Sequence, residues 1–189
     1  MSEKYRFCDP GGMYFVTPTI VGWIDVFSRR ELKHIVINSL KYCQANKGLL
    51  IHAWCLMPSH LHMIISSAGE PIGGIIRDFK KYTASALVAE IKNGPESRRE
   101  WMLDLFGRAA EGLERVWNYK VWQDGCHPVH LHSKKFIDQK LDYLHWNPVE
   151  AEIVDRPPCW ASSSAGLLAR ELAQRSRCRE NPIVLIWNY

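Results

Sequence analysis

Apolar residues change their spacing along the chain, and each change marks an element. From Met13 to Val21 the run MYFVTPTIV is rich in aromatic and β-branched residues and predicts a strand, with Pro18 pointing to an edge or an irregularity. Ser28 followed by Glu31 has capping-box spacing, and Leu32, Ile35, Val36, Leu40 and Cys43 then recur at helical period until Gly48. A helix over residues 29–46 follows. Two short apolar runs, residues 49–57 and 60–66, flank the turn signal Pro58-Ser59 and read as adjacent strands with a tight connection. After Pro71, a residue tolerated in a first helical turn, Ile72, Ile75, Ile76, Phe79, Leu87 and Ile91 share one helix face until Asn93-Gly94-Pro95 stops it.

The second half is less regular. Residues 94–112 are polar and charged around an apolar patch (Trp101, Met102, Leu103, Leu105, Phe106) and read as a loop or insertion. VWNYKVW, residues 116–122, alternates well enough for a fourth strand. Ser133 caps a further helix through Leu144, which Asn147-Pro148 terminates, because a residue before proline avoids the helical region. Beyond it, residues 167–175 carry one more helical pattern. Strand, helix, two strands, helix, strand and an appended helix is the order of a ferredoxin-like split βαβ fold in the α+β class. One antiparallel sheet with helices on one face is expected, plus the C-terminal helix. That fold hosts unrelated functions, so chemistry must come from a site.

Composition narrows the setting. With 189 residues, 47% hydrophobic and 23% charged, the chain suits one soluble domain. No apolar stretch is long enough to span a bilayer and no charged-then-apolar leader opens the chain, so a cytoplasmic protein with no membrane partner is expected. A formal charge of +4 permits a nucleic-acid partner without demanding one. Six cysteines without a C-x-x-C pair give no disulfide framework, which fits a reducing compartment.

Four groups of residues carry candidate chemistry. His60 and His62 lie two apart in an expected strand, so both imidazoles project from one face while Leu61 points into the core. Such a pair can ligate one metal ion, although the motif also arises by chance. A second pair, His130 and His132, lies near Cys126 and His127. Its spacing is not a usual zinc arrangement, and histidines contacting a phosphate or solvent suit it better. Tyr143 has Asn147 one turn on and Lys140 one turn back, so phenol, carboxamide and ammonium lie along one side of the helix. The cation would favour a phenolate or hold a phosphate, while Ile137, Leu141 and Leu144 mark the buried stripe. The alternative is an aromatic that merely packs on the sheet. Arg77, Lys80 and Lys81 form a basic face that reads as a phosphate-contacting surface or a solvated one.

The run Met57-Pro58-Ser59-His60-Leu61-His62-Met63-Ile64-Ile65 resembles the His-hydrophobic-His signature of the IS200-like, REP-associated tyrosine transposase family. Leu141-Asp142-Tyr143-Leu144-His145-Trp146-Asn147-Pro148-Val149 resembles that family's tyrosine helix. The likeness spans about residues 10–155, leaving 156–189 as an extension of unknown role. It implies that His60 and His62 hold Mg²⁺ or Mn²⁺ and that Asn147, where some relatives carry Gln, is the third ligand. It implies that Tyr143 attacks a phosphate of single-stranded or hairpin DNA, leaving a 5′-phosphotyrosine and a free 3′-hydroxyl, in DNA transposition. Tyr82 is a lesser candidate nucleophile. Relatives occur as homodimers in which the tyrosine serves the partner's metal, and a monomer is the other arrangement. A domesticated hairpin-DNA-binding protein with little cutting activity is the alternative function, and a metal-dependent hydrolase a third.

Overall fold

A computed structural model describes residues 7–113 and 118–175, the last five by backbone alone. In chain order the elements are β1 (Tyr14–Val16), α1 (Arg30–Lys47), β2 (Leu49–Leu56), β3 (Leu61–Ser67), α2 (Ile72–Asn93), α3 (Arg99–Arg108), β4 (Val129–His130), α4 (Lys134–Glu150) and α5 (Ala165–Arg175). The sheet order is β2-β3-β1-β4, and every neighbouring pair is antiparallel. This is the expected split βαβ arrangement of the α+β class.

Alternation along the strands sorts the residues into two cores. Tyr14, Val16, Ile51, Leu61, Met63 and Ile65 face α1 and α2, which cover them with Leu32, Val36, Leu40, Ile75, Phe79 and Leu87. Phe15, Ala53, Cys55 and Ile64 face the other way and are covered by α4 through Phe136, Ile137, Leu141 and Leu144. The helices that follow the strands thus share one face, and the appended helix takes the opposite one. Between α1 and β2 the chain reverses at Gly48 (φ 74), where a Cβ would meet the Gly69 backbone nitrogen at 2.6 Å. Only glycine fits there.

Several expectations need correction. The first strand is three residues long rather than nine. Beyond Val16 the chain leaves the ladder at Pro18, which has no N–H to pair, and Thr19 and Ile20 make only isolated bridges to His60 and Trp122. The fourth strand is Val129–His130, not residues 116–122. Val116 and Trp117 lie outside the described residues. Val121 and Trp122 are both buried, so the alternation there is not that of a half-buried strand. Residues 94–112 hold α3, whose Met102 and Phe106 lie one turn apart and are fully buried. Charged neighbours masked that stripe. Finally, α4 continues through Pro148 to Glu150. Proline here removes the bond its missing N–H would make, and its ring is buried in the folded chain.

Ser133 does cap α4, its Oγ accepting from Phe136 N at 3.3 Å. Beyond residue 155 the chain folds back along β2, the outer strand. Leu56 N donates to Ser162 O (2.8 Å) and Ser164 N to Trp54 O (2.9 Å), with Cys55 opposite Ser163. The segment covers an otherwise open sheet edge. Among the described residues, no helix is long and apolar enough to cross a membrane.

Candidate functional site

The turn at Pro58-Ser59 delivers His60 to the start of β3, where Met57 N bonds its carbonyl at 2.9 Å and Thr19 bridges it from the other side. His62 follows on the same face. The two rings sit edge to face with centroids 4.6 Å apart. Each Nδ1 is paired with a hydroxyl: His60 with Ser59 Oγ (3.1 Å) and His62 with Thr17 Oγ1 (2.9 Å). Such pairing orients an imidazole and leaves its other nitrogen for a ligand.

That other nitrogen of His62 is the most informative atom in the molecule. His62 is only 3% exposed, and its Nε2 has no hydrogen-bond partner. Leaving a buried polar atom unpaired costs about 1–3 kcal/mol, which a bound metal would offset. Burial, reinforced by the neighbouring His60 and Lys140, pushes the His62 imidazole down to about 3. Burial lowers His60 as well, opposed by a hydrogen bond to the Asn147 side chain. Both rings are therefore held neutral, the form that ligates a metal. The Asn147 side chain lies within hydrogen-bonding reach of His60, so two nitrogens and one oxygen stand together, a set whose chemistry would fit a small divalent cation such as Mn²⁺.

Tyr143 reaches this place from α4 of the same chain. Its ring lies 5.4 Å from that of His62 and 5.9 Å from Phe15, both edge to face, and it stays 42% exposed. The Lys140 ammonium sits above the rings of Tyr143 (5.2 Å) and Phe15 (5.1 Å). Because α4 passes through Pro148 without a break, Tyr143 and Asn147 keep their one-turn spacing. A buried relay anchors the helix: His145 Nε2 pairs with Ser164 Oγ (2.9 Å), which accepts from Trp54 N (3.1 Å) and donates to Trp54 O (3.2 Å). Burial lowers the His145 imidazole to about 4, opposed by Asp142.

The structure thus brings together His60, His62, Asn147, Tyr143 and Lys140. It does not bring Arg77, Lys80 and Lys81, which belong to α2 on the opposite side of the sheet. Lys80 is an anchor rather than an available phosphate contact: its Nζ donates to the carbonyls of Gln123 and Gly125, each at 2.6 Å, and burial lowers its pKa. Arg77 is exposed beside Asp78 (3.3 Å), and Lys81 is exposed. Tyr82 is also on α2, away from the histidine pair. His130 packs on Tyr14 and approaches Asp9, and among the described residues no three His, Cys, Asp or Glu side chains form a metal-binding group. Sequence reasoning did not single out Thr17, Ser59, Ser164 or Trp23. The first three act through contacts made by folding, while Trp23 offered only the weak signal of a tryptophan after a glycine.

No protein-family model matches this sequence, and no curated protein does. Among solved structures, one of a REP-associated tyrosine transposase bound to a REP hairpin is similar over 100% of this chain and 93% of that chain, with a TM-score of 0.61 and 20% sequence identity. Likeness at that identity speaks for architecture: this chain has the fold of that transposase.

Proposed function

We propose that the chain is a tyrosine transposase that binds hairpin DNA and nicks and rejoins its single-stranded flank through Tyr143. One observation carries this reading: an exposed phenol stands beside a buried imidazole nitrogen that has no partner, both supplied by one chain. The structural likeness to a hairpin-bound transposase supports the choice of DNA. His60, His62 and Asn147 would hold Mg²⁺ or Mn²⁺, which when bound supplies Lewis-acid polarisation of a phosphate oxygen.

The phenolic oxygen of Tyr143 forms a bond to phosphorus, and the bond from phosphorus to the 3′ oxygen breaks. The phenolic proton leaves to solvent, and the departing 3′ oxygen takes one up. A 5′-phosphotyrosine and a 3′-hydroxyl result, and attack by a 3′-hydroxyl on the phosphotyrosine reverses the step. Exposure of Tyr143 lets a strand reach it, while Phe15 packs against its ring. Lys140 is the cation placed to steady the phosphate; Arg77 and Lys81 meet only DNA that extends to the α2 side.

The test is covalent trapping. Labelled hairpin DNA with single-stranded flanks and Mn²⁺ should yield a protein–DNA adduct that survives denaturation, disappears in Tyr143→Phe and persists in Tyr82→Phe. Binding without an adduct would reduce the protein to a hairpin binder, and free 5′-phosphate ends would make water the nucleophile.

A further inference from the structure

The loop between β1 and α1 carries an aromatic that the reaction above does not use. Trp23 is 60% exposed, yet its ring packs edge to face on His60 at 5.3 Å. Its backbone is left-handed (φ 55), directly after left-handed Gly22 (φ 63). A bulky side chain adopts that conformation only where its surroundings impose it. Here they do. Ile20 N bonds Ser59 O (2.9 Å) and Phe27 N bonds Pro58 O (2.8 Å), so both ends of the loop are tied to the turn that presents His60. Ile20, Ile24, Val26 and Phe27 all point inward and are buried. The largest side chain of the loop is the one held in solvent, at the rim of the histidine pair.

We infer that Trp23 is a stacking platform for an unpaired DNA base close to the phosphate that Tyr143 attacks. This rests on the function proposed above. Base-on-indole stacking is how proteins hold single strands whatever their sequence, because every base has a π-face. A hairpin stem has no unpaired base to offer at that rim, but its single-stranded flank does. The strained, anchored loop holds the indole in one place before DNA arrives, which reduces the ordering cost of binding. Stacking next to His60 would therefore orient the flank rather than simply add affinity.

Affinity of the full chain for a hairpin with single-stranded flanks is compared with that for the same hairpin made blunt. Trp23→Gly is the main variant, since glycine accepts the left-handed backbone and preserves the loop. It should weaken binding of the flanked hairpin about tenfold, change the blunt one by less than about twofold, and be largely rescued by Trp23→Phe. Abasic residues are then placed one at a time along the flank. One position should lower wild-type affinity about tenfold and have no further effect in Trp23→Gly. Equal loss on both hairpins, or no position that falls silent in the variant, overturns the stacking role. If the wild type forms its Tyr143 adduct and Trp23→Gly binds the flanked hairpin as well, stacking alone falls. If the wild type binds neither hairpin, the functional reading fails and takes stacking with it.

Discussion

His60 and His62 have the same spacing as His130 and His132, but the first pair lies 4.6 Å apart on an interior strand while the second lies 6.4 Å apart at the end of a two-residue edge strand. β3 has neighbours on both sides and α4 across its face, so His62 is dehydrated and its Nδ1 is held by Thr17. β4 pairs only with β1, and register places His130 opposite Tyr14, on the sheet face away from Phe15 and His62. Its ring sits near the Asp9 carboxylate (3.7 Å) and is open to solvent. A two-residue spacing therefore aligns imidazoles but does not make a site. The first pair adds the shielding of His62 and a hydroxyl on each Nδ1.

The largest test of this contrast is chemical. Tyr143→Phe should lower adduct formation on the order of 10³-fold or more, as loss of a nucleophile does, while a double change of His130 and His132 to Ala should leave it intact. Equal losses in both would erase the distinction between the pairs.

Acid comes next. The folded chain keeps His145 and His62 neutral, with values near 4 and 3 against an ordinary 6.5. The unfolded chain takes up these protons first as pH falls, so stability is complete above about pH 6.5 and is lost on descending toward the folded values. The His145 share is on the order of 3 kcal/mol, and His145→Gln, which keeps an amide for Ser164, should flatten the curve between pH 6.5 and 4 in denaturant unfolding. An unchanged slope would mean that this imidazole is not held neutral.

Metal gives the sharpest comparison of the pairs. At a hundredfold excess over its dissociation constant, Mn²⁺ should stabilise the wild type by about 2.7 kcal/mol. Thermal unfolding should show the gain abolished in His62→Ala and preserved when His130 and His132 are both Ala. Retention in His62→Ala would place the ion elsewhere.

The smallest effect separates the lysines. Lys80→Met should cost about 1–2 kcal/mol of stability, since it leaves two carbonyls without a donor, and Lys81→Met should cost almost nothing. Lys140→Met should leave the fold intact while reducing the slope of log affinity against log salt by about one.

Much of this molecule was legible in one dimension because the relevant physics is local. Helical period gave α1 and α2 nearly to the residue, and strand alternation put His60 and His62 on one face with Leu61 opposite. Ser133 was readable as a cap. One-turn spacing puts Tyr143, Asn147 and Lys140 along one side of the helix, provided the helix continues, while their roles came from the resemblance to the transposase family. Whether it continues past Pro148 was not local: the ring is buried in the folded chain, and the helix runs on against a backbone preference. Likewise β4 lies at residues 129–130 because that is where the chain meets the open edge of β1, and α3 forms because Met102 and Phe106 find a core. The sequence by itself determined which residues could serve a metal and a nucleophile. Only the tertiary structure decided that they meet in one chain, with His62 Nε2 buried and unpaired, since burial and pairing depend on Thr17, α4 and Ser164, which are far apart along the chain.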